Sequence, residues 1–416
     1  MSVTDPEMDS GQIGKSADAA ESRPPPSTAA ELKKLAEKAV KGGAATARKT
    51  KPALLVLAYA ALGLYYLWCV PAVYFLNLPW EWLRTLLAVC FAIAIPAILI
   101  VFRKKKWSLW AAAGISLFFG VWFSLIPASN NRDWTTDVAR LPKVSIDGSE
   151  VTVENLRSFI YKTEKDYVVR YRTETYDLDK LDEVDYILSY WDGNTKVAHS
   201  MLSFGFGDGK HLCVSVETRR EKGEPQTGLR GLYNQYERIY ILADESDLLL
   251  LRTNYRHEEV YVYPLKFDKA KAKRLLLRIL GHVNSLYERP EFYNTIKHNC
   301  FTSVLRDVAK ARGRGFEFDI RMLLNGESDQ MGYEKGWFET DGLGFEAFKK
   351  RSHINQYVED DPDAAVGFSS KIRSWKRRRG VSSGGTSERR VDLTPPRAIF
   401  PPPKTGRARV AQGIEQ

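Results

Sequence analysis

Val197-Ala-His-Ser-Met-Leu-Ser-Phe-Gly-Phe206, then Gly207-Asp-Gly-Lys210, then Leu212-Cys-Val-Ser-Val-Glu217 reads as two apolar strands around a glycine-rich turn. That is a strong hairpin signal and predicts an antiparallel sheet. Working outward, further strand signals fall at 143–148, 151–153, 167–171 and 184–191, with Asp192-Gly-Asn194 as a turn. The run continues at 238–242, 247–252 and 259–264. Then the period changes. Leu275, Leu276, Ile279, Leu280, Val283 and Leu286 recur at helical spacing and predict a helix over 268–287. A second helix is expected from about Cys300 to Ala311, with Gly313 as its stop. The pattern is α+β: a mainly antiparallel sheet with helices after it.

Before this domain lie three apolar segments, at about 53–76, 83–102 and 108–126. At about 1.5 Å per residue each can cross a hydrocarbon core of about 30 Å. The first begins late and two more follow, which argues against a cleaved signal peptide. Lys41, Arg48, Lys49 and Lys51 precede the first segment, and Arg103-Lys-Lys-Lys106 joins the second to the third. The turn between the first two carries only Arg84, beside Trp80 and Trp82. Positive residues mark the cytoplasmic side, so the N-terminus is expected there. Three crossings then put everything after about residue 127 on the far side.

The net charge is +10. Much of the excess sits at the membrane flanks and in a basic tail over 374–416, which reads as solvated and disordered. Residues 1–50 are poor in aromatics and broken by Pro24-Pro-Pro26. They read as disordered too, apart from a helix signal over 28–40. The expected domains are therefore 1–50, 51–127, 128–373 and 374–416. The lipid bilayer is the expected partner, and a domain outside the cytoplasm argues against nucleic acid.

Chemistry concentrates on a few residues. Cys300 should stand in the first turn of a helix capped by Asn299 or Thr295, where free amides and the helix dipole favour thiolate. His199 lies on a strand and is the candidate base. In a hairpin with a three-residue loop, Glu217 falls opposite His199 on the same face; a two-residue loop would place Thr218 there instead. His211 sits too near the turn to serve. Cys213 offers the competing reading, a disulfide with Cys300 in an oxidising compartment. His199, His211, His298, Cys213 and Cys300 lack paired ligand spacing beyond His298-x-Cys300, so no metal is expected. Gly205–Gly209 is a hairpin turn with no following helix, so no cofactor loop is expected either.

A family resemblance rests on several stretches. They are Arg170-Tyr-Arg-Thr-Glu-Thr-Tyr-Asp177, Val197–Phe206, Val214-Ser-Val-Glu-Thr-Arg-Arg-Glu-Lys-Gly-Glu224 and Tyr261-Val-Tyr-Pro264. Tyr293-Asn-Thr295 with Asn299-Cys-Phe-Thr302, Leu323-Leu-Asn-Gly326 and Phe368-Ser-Ser-Lys-Ile-Arg373 complete the set. On these, about 132–373 resembles the bacterial family of the Lnb N-terminal periplasmic domain. The resemblance implies a bacterial inner membrane protein with a periplasmic C-terminal domain. The order of His199 before Asn299-Cys300 is also similar to circularly permuted papain-like proteins such as the lecithin-retinol acyltransferase group. That similarity implies Cys300 as nucleophile, His199 as base and Glu217 as orienter, with Asn299 opening the helix. The expectation is a thiol hydrolase or acyltransferase acting on an envelope peptide, peptidoglycan or acyl substrate. The alternative is a non-catalytic envelope binding module in which Cys300 is structural.

Overall fold

The computed structural model describes residues 33, 34, 37 and 56–376, except 106, 192, 267, 314, 316–318 and 323. The basic tail from 377 onward and nearly all of 1–55 lie outside the described residues, as does Asp192 of the expected turn. Of the helix expected over 28–40, Lys33, Lys34 and Glu37 are described and helical. The chain divides into two compact units, 1–128 with 227–235, and 129–226 with 236–416.

In the first unit, three helices are long and apolar enough to span a membrane: α1 (Val56–Tyr74), α2 (Glu81–Val101) and α3 (Trp107–Ser124). Their outward residues are apolar too, among them Leu57, Leu64, Ile93, Trp110 and Phe118, as surfaces facing lipid must be. Pro96 lies inside α2. Tyr233 of the 227–235 segment stacks on Trp68 at 5.8 Å and Phe75 at 5.1 Å, and Gln235 Nε2 donates to the Phe75 carbonyl at 2.6 Å.

The second unit is built on one mainly antiparallel sheet. Its strands are β1 (Lys143–Asp147), β2 (Glu150–Arg157), β5 (Tyr171–Asp177), β6 (Leu181–Tyr190), β7 (His199–Phe206), β8 (His211–Arg219), β9 (Glu237–Ala243) and β10 (Glu259–Pro264). A small ladder of β3 (Ile160–Tyr161) and β4 (Tyr167–Val168) stands apart from it. The main order is β1-β2-β9-β8-β7-β6-β10, with β5 also pairing β2. Every main pairing is antiparallel except the single parallel contact of Arg157 with Ala243.

Helices cover both faces of this sheet. On one, α5 (Lys269–Glu288) and α6 (Cys300–Arg312) bury Leu276, Ile279, Leu280 and Phe301 against Leu202, Phe204, Leu212 and Val214. On the other, Ile187, Met201, Cys213, Ile239 and Ile241 pack against a second group of short helices. These include α4 (Glu245–Leu250), and, after α7 (Ser328–Glu334) and α8 (Phe345–Ser352), α9 (Asn355–Val358) and α10 (Phe368–Lys371). Burial on both faces explains why β7 reads as a nearly unbroken apolar run.

The strand expected over 247–252 is instead helix. Glu245 and Asp247 stand in the first turn of α4, where carboxylates favour a helix start. Leu248 to Leu251 is an apolar run too short for periodicity to separate strand from helix. The winding then widens into a π-helical stretch, Leu251–Tyr255.

Two buried arginines fasten these layers. Arg157 forks onto Asp247 at 2.8 and 3.1 Å, and Asp247 also accepts from Tyr161 and the Phe159 N–H. Arg373 reaches Asp185 on β6 at 2.9 Å and both oxygens of Glu245 on α4 at 2.6 and 2.8 Å. Removing one partner of such a buried set strands the other charges in a poor solvent. Arg373→Met should therefore lower the unfolding free energy by about 3–5 kcal/mol. Equilibrium chemical denaturation of the full chain in detergent, followed by tryptophan fluorescence, checks this. A loss under about 1 kcal/mol would contradict the clamp.

Candidate active site

The turn between β7 and β8 has three residues. Phe206 N–H donates to the Lys210 carbonyl at 2.9 Å, and Met201 pairs with Ser215. This register sets His199 opposite Glu217. It also carries the third member of the face, Ser215, which the sequence reading missed. Ser215 was legible in principle, since it lies two residues before Glu217 on the same strand.

His199 Nε2 lies 2.6 Å from Ser215 Oγ and 3.0 Å from Glu217 Oε1, and Ser215 Oγ donates to the same carboxylate oxygen at 2.7 Å. Because the serine proton points to Glu217, Nε2 faces two acceptor oxygens and carries hydrogen. Arg252, from the π-helical stretch, approaches Glu217 Oε1 at 3.3 Å and Glu258 Oε2 at 3.6 Å. A strand over 247–252 would not have suggested this contact, so sequence reasoning missed Arg252 as well. Burial opposes the Glu217 charge, but His199, Arg252 and Ser215 outweigh it and hold the carboxyl far below its usual range.

Cys300 opens α6, packed against β7. Asn299 caps the helix: its Oδ1 accepts from the Thr302 N–H at 2.7 Å, and Thr302 Oγ1 accepts from the Asn299 N–H at 3.1 Å. Asn299 Nδ2 donates to the Thr295 carbonyl at 2.8 Å. Asn299 thus shapes the helix start, with its amide turned into the cap. Gly313, at φ 74°, ends α6 in the left-handed conformation that glycine tolerates.

The paired rungs of β7 and β8 stop at Met201 and Ser215, leaving the Ser200 N–H beyond the last one. That N–H and the His199 side chain are the groups that favour the Cys300 thiolate. Burial would raise the thiol pKa, but the His199 charge, its hydrogen bond and the Ser200 N–H prevail and lower it. His199 moves the other way: burial would lower its pKa, yet Glu217 and Cys300 push it up to about 10.

Tyr293 completes the site. Its N–H donates to the Tyr236 carbonyl at 2.9 Å, and its hydroxyl takes a hydrogen bond from the Cys300 backbone N–H. The motif beginning at Tyr293 was visible in the sequence, but nothing there fixed where the ring would point.

The remaining candidates stand elsewhere. His211 Nε2 contacts Glu183 Oε1 at 2.9 Å at the turn end of the hairpin. His298 Nδ1 faces Arg306 at 3.0 Å and Arg238 at 3.3 Å. Cys213 and Cys300 are both free thiols and belong to different core clusters. Among the described residues, no group of three or more His, Cys, Asp or Glu side chains is arranged to hold a metal.

With the histidine, glutamate and cysteine in one place, comparison with known families becomes informative. Residues 167–326 match the model of the Lnb N-terminal periplasmic domain family. The matched stretch contains His199, Ser215, Glu217, Arg252, Tyr293 and Cys300. It is narrower than the 132–373 over which the motifs were traced, and α1 to α3 precede it. The Lnb match and the three apolar helices describe a membrane-anchored protein with a periplasmic domain. No curated protein and no solved structure matches the chain.

The thiol chemistry gives a direct test. The ultraviolet thiolate absorbance of native protein minus Cys300→Ser should titrate below the free-cysteine value of about 8.5. In His199→Ala the same signal should move above that value. A native titration at or above it would contradict the paired thiol.

Proposed function

We propose that the chain is an inner-membrane-anchored thiol enzyme of the bacterial envelope, a hydrolase or acyltransferase that cleaves an amide or ester through a thioester at Cys300. The observation that carries this reading is the placement of Cys300 at a helix start, beside a histidine whose far nitrogen is held by Glu217 and Ser215. An inert core cysteine needs none of these partners.

In the proposed cycle, the Cys300 thiolate attacks the carbonyl carbon while protonated His199 waits at Nδ1. Negative charge develops on the carbonyl oxygen. The Tyr293 hydroxyl, whose oxygen accepts from the Cys300 N–H, keeps its own proton to donate to that oxygen. Collapse breaks the bond to the leaving amine or alcohol, which takes the Nδ1 proton, and the acyl group remains as a thioester. His199, now neutral, removes a proton from water or a second nucleophile, which attacks the thioester and restores the thiolate–imidazolium pair. Throughout, Glu217 orients the ring and balances its charge, and Arg252 keeps Glu217 ionised. Envelope peptides, peptidoglycan stems and acylated molecules are the substrate classes this chemistry suits.

The proposed topology puts the N-terminus and the basic 103–106 turn in the cytoplasm, and follows from the distribution of basic residues. A reporter active only outside the cytoplasm, fused after Arg132, should work; activity confined to a cytoplasmic reporter at that point would reverse the assignment. An acyl-electrophile probe should label Cys300 in the native chain and fail in Cys300→Ser. His199→Ala should slow labelling by about 10²–10⁴-fold. Labelling at the native rate in His199→Ala, with the variant folded, would count against the pair.

A further inference from the structure

The stretch 323–326 of the motif set plays no part in the site described so far. It meets β7 where that strand loses a neighbour. β7 stays paired with β6 as far as His199, but its rungs to β8 end at Met201 and Ser215. Phe206 donates across the turn to Lys210, so by the period of two the even-numbered residues of β7 turn their backbone groups towards β8. Beyond the last rung, Ser200 and Ala198 therefore face an edge that β8 has left.

Two groups take up that edge. The Ser200 N–H favours the Cys300 thiolate. A single carboxamide takes the next position: Asn325 Oδ1 accepts from the Ala198 N–H at 3.1 Å, and Asn325 Nδ2 donates to the Ala198 carbonyl at 2.5 Å. Nδ2 also donates to Ser200 Oγ at 2.9 Å. The amide makes the paired contact that a strand residue would make, and it grips the residues on both sides of His199. Ala198 and Asn325 are buried, so without this pairing the Ala198 groups would be left unsatisfied away from solvent.

The turn that carries Asn325 is fitted to the strand. The Gly326 N–H donates to the Lys196 carbonyl at 3.1 Å, and the Tyr190 hydroxyl donates to the Gly326 carbonyl at 2.6 Å. A Cβ at Gly326 would stand 2.1 Å from the Thr195 carbonyl oxygen, so glycine is needed for so close an approach. Ser328 Oγ donates to the Asn325 carbonyl at 2.5 Å and holds the turn from its other side.

We propose that Asn325 is a positioning residue of the thiol site, standing in for the missing strand and fixing His199 and the Ser200 N–H against Cys300. The inference rests on the thiol reading and adds to it. Asn325 touches no reacting atom and acts through the backbone of β7. Without its amide, residues 198–200 lose the partner that sets their place. A misplacement on the order of 1 Å can cost about 10²-fold in rate.

The test uses the purified full chain in maltoside micelles. Labelling of Cys300 by an acyl-electrophile probe is followed over a range of probe concentrations, which separates the saturating rate from the half-saturating concentration. The thiolate absorbance is titrated alongside. Asn325→Ala should lower the saturating rate by about 10²-fold, with little change in the half-saturating concentration, and should move the titration upward. Asn325→Ser, which keeps one polar group but cannot span both Ala198 groups, should move both readings the same way and serves if Asn325→Ala fails to fold. Arg373→Met weakens the fold away from this edge and should label and titrate as the native chain does. The same shifts in Arg373→Met would reduce Asn325 to a general stabiliser and overturn the proposal. So would a folded Asn325 variant with the native rate and the native titration, which would leave the thiol reading standing. A native Cys300 that neither labels nor titrates low would instead remove the thiol reading, and this proposal with it.

Discussion

The three-residue turn between β7 and β8 fixes the side of the sheet on which each functional group stands. Strand side chains alternate with a period of two, so a turn shorter by one residue would bring Thr218 opposite His199. Glu217 would then point into the apolar layer beneath α5 and α6, a costly place for a carboxylate. The observed register instead lines up His199, Ser215 and Glu217 and ends the paired rungs at Met201 and Ser215. The end of that ladder leaves the Ser200 N–H for the sulfur at the head of α6. One local choice of turn length thus sets the face of the sheet on which His199, Ser215 and Glu217 meet.

Charge organises the rest of the domain. Arg252 joins the histidine site to the π-helical stretch, and Arg373 ties the sheet to α4 from the chain's C-terminal side. Both arginines are buried, and each meets carboxylates that would be expensive to leave alone. These contacts are long in sequence: Arg373 lies 188 residues from Asp185. They hold short helices such as α4 and α10, whose few turns would not be stable in isolation.

Much of this was legible in the sequence where a local rule applied. The apolar runs of β7 and β8 around a glycine-rich turn, the helical period of α5 and the start of α6 at Cys300 follow from spacing and side-chain type alone. The three membrane-length helices follow from composition and length. Opaque regions were those where long-range packing decided. The run from Asp247 to Arg252 is equally good strand or helix by pattern, and the buried Glu245 and Asp247 at its start settle the matter only once Arg157 and Arg373 are in place. Tyr293 and Arg252 belong to the site through the direction of one ring and one π-helical turn, which no spacing rule encodes. Glu217 stood between: its placement depended on a turn length that the glycines allowed in two forms.

The central claim is that Cys300 works as a nucleophile in the envelope. Peptide mapping by mass spectrometry, on the full chain isolated from envelope membranes without reductant, tests it most directly. The account predicts Cys300 as a free thiol or as an acyl adduct labile to hydroxylamine, with Cys213 unmodified. A quantitative reductant-sensitive crosslink between Cys213 and Cys300 would contradict it.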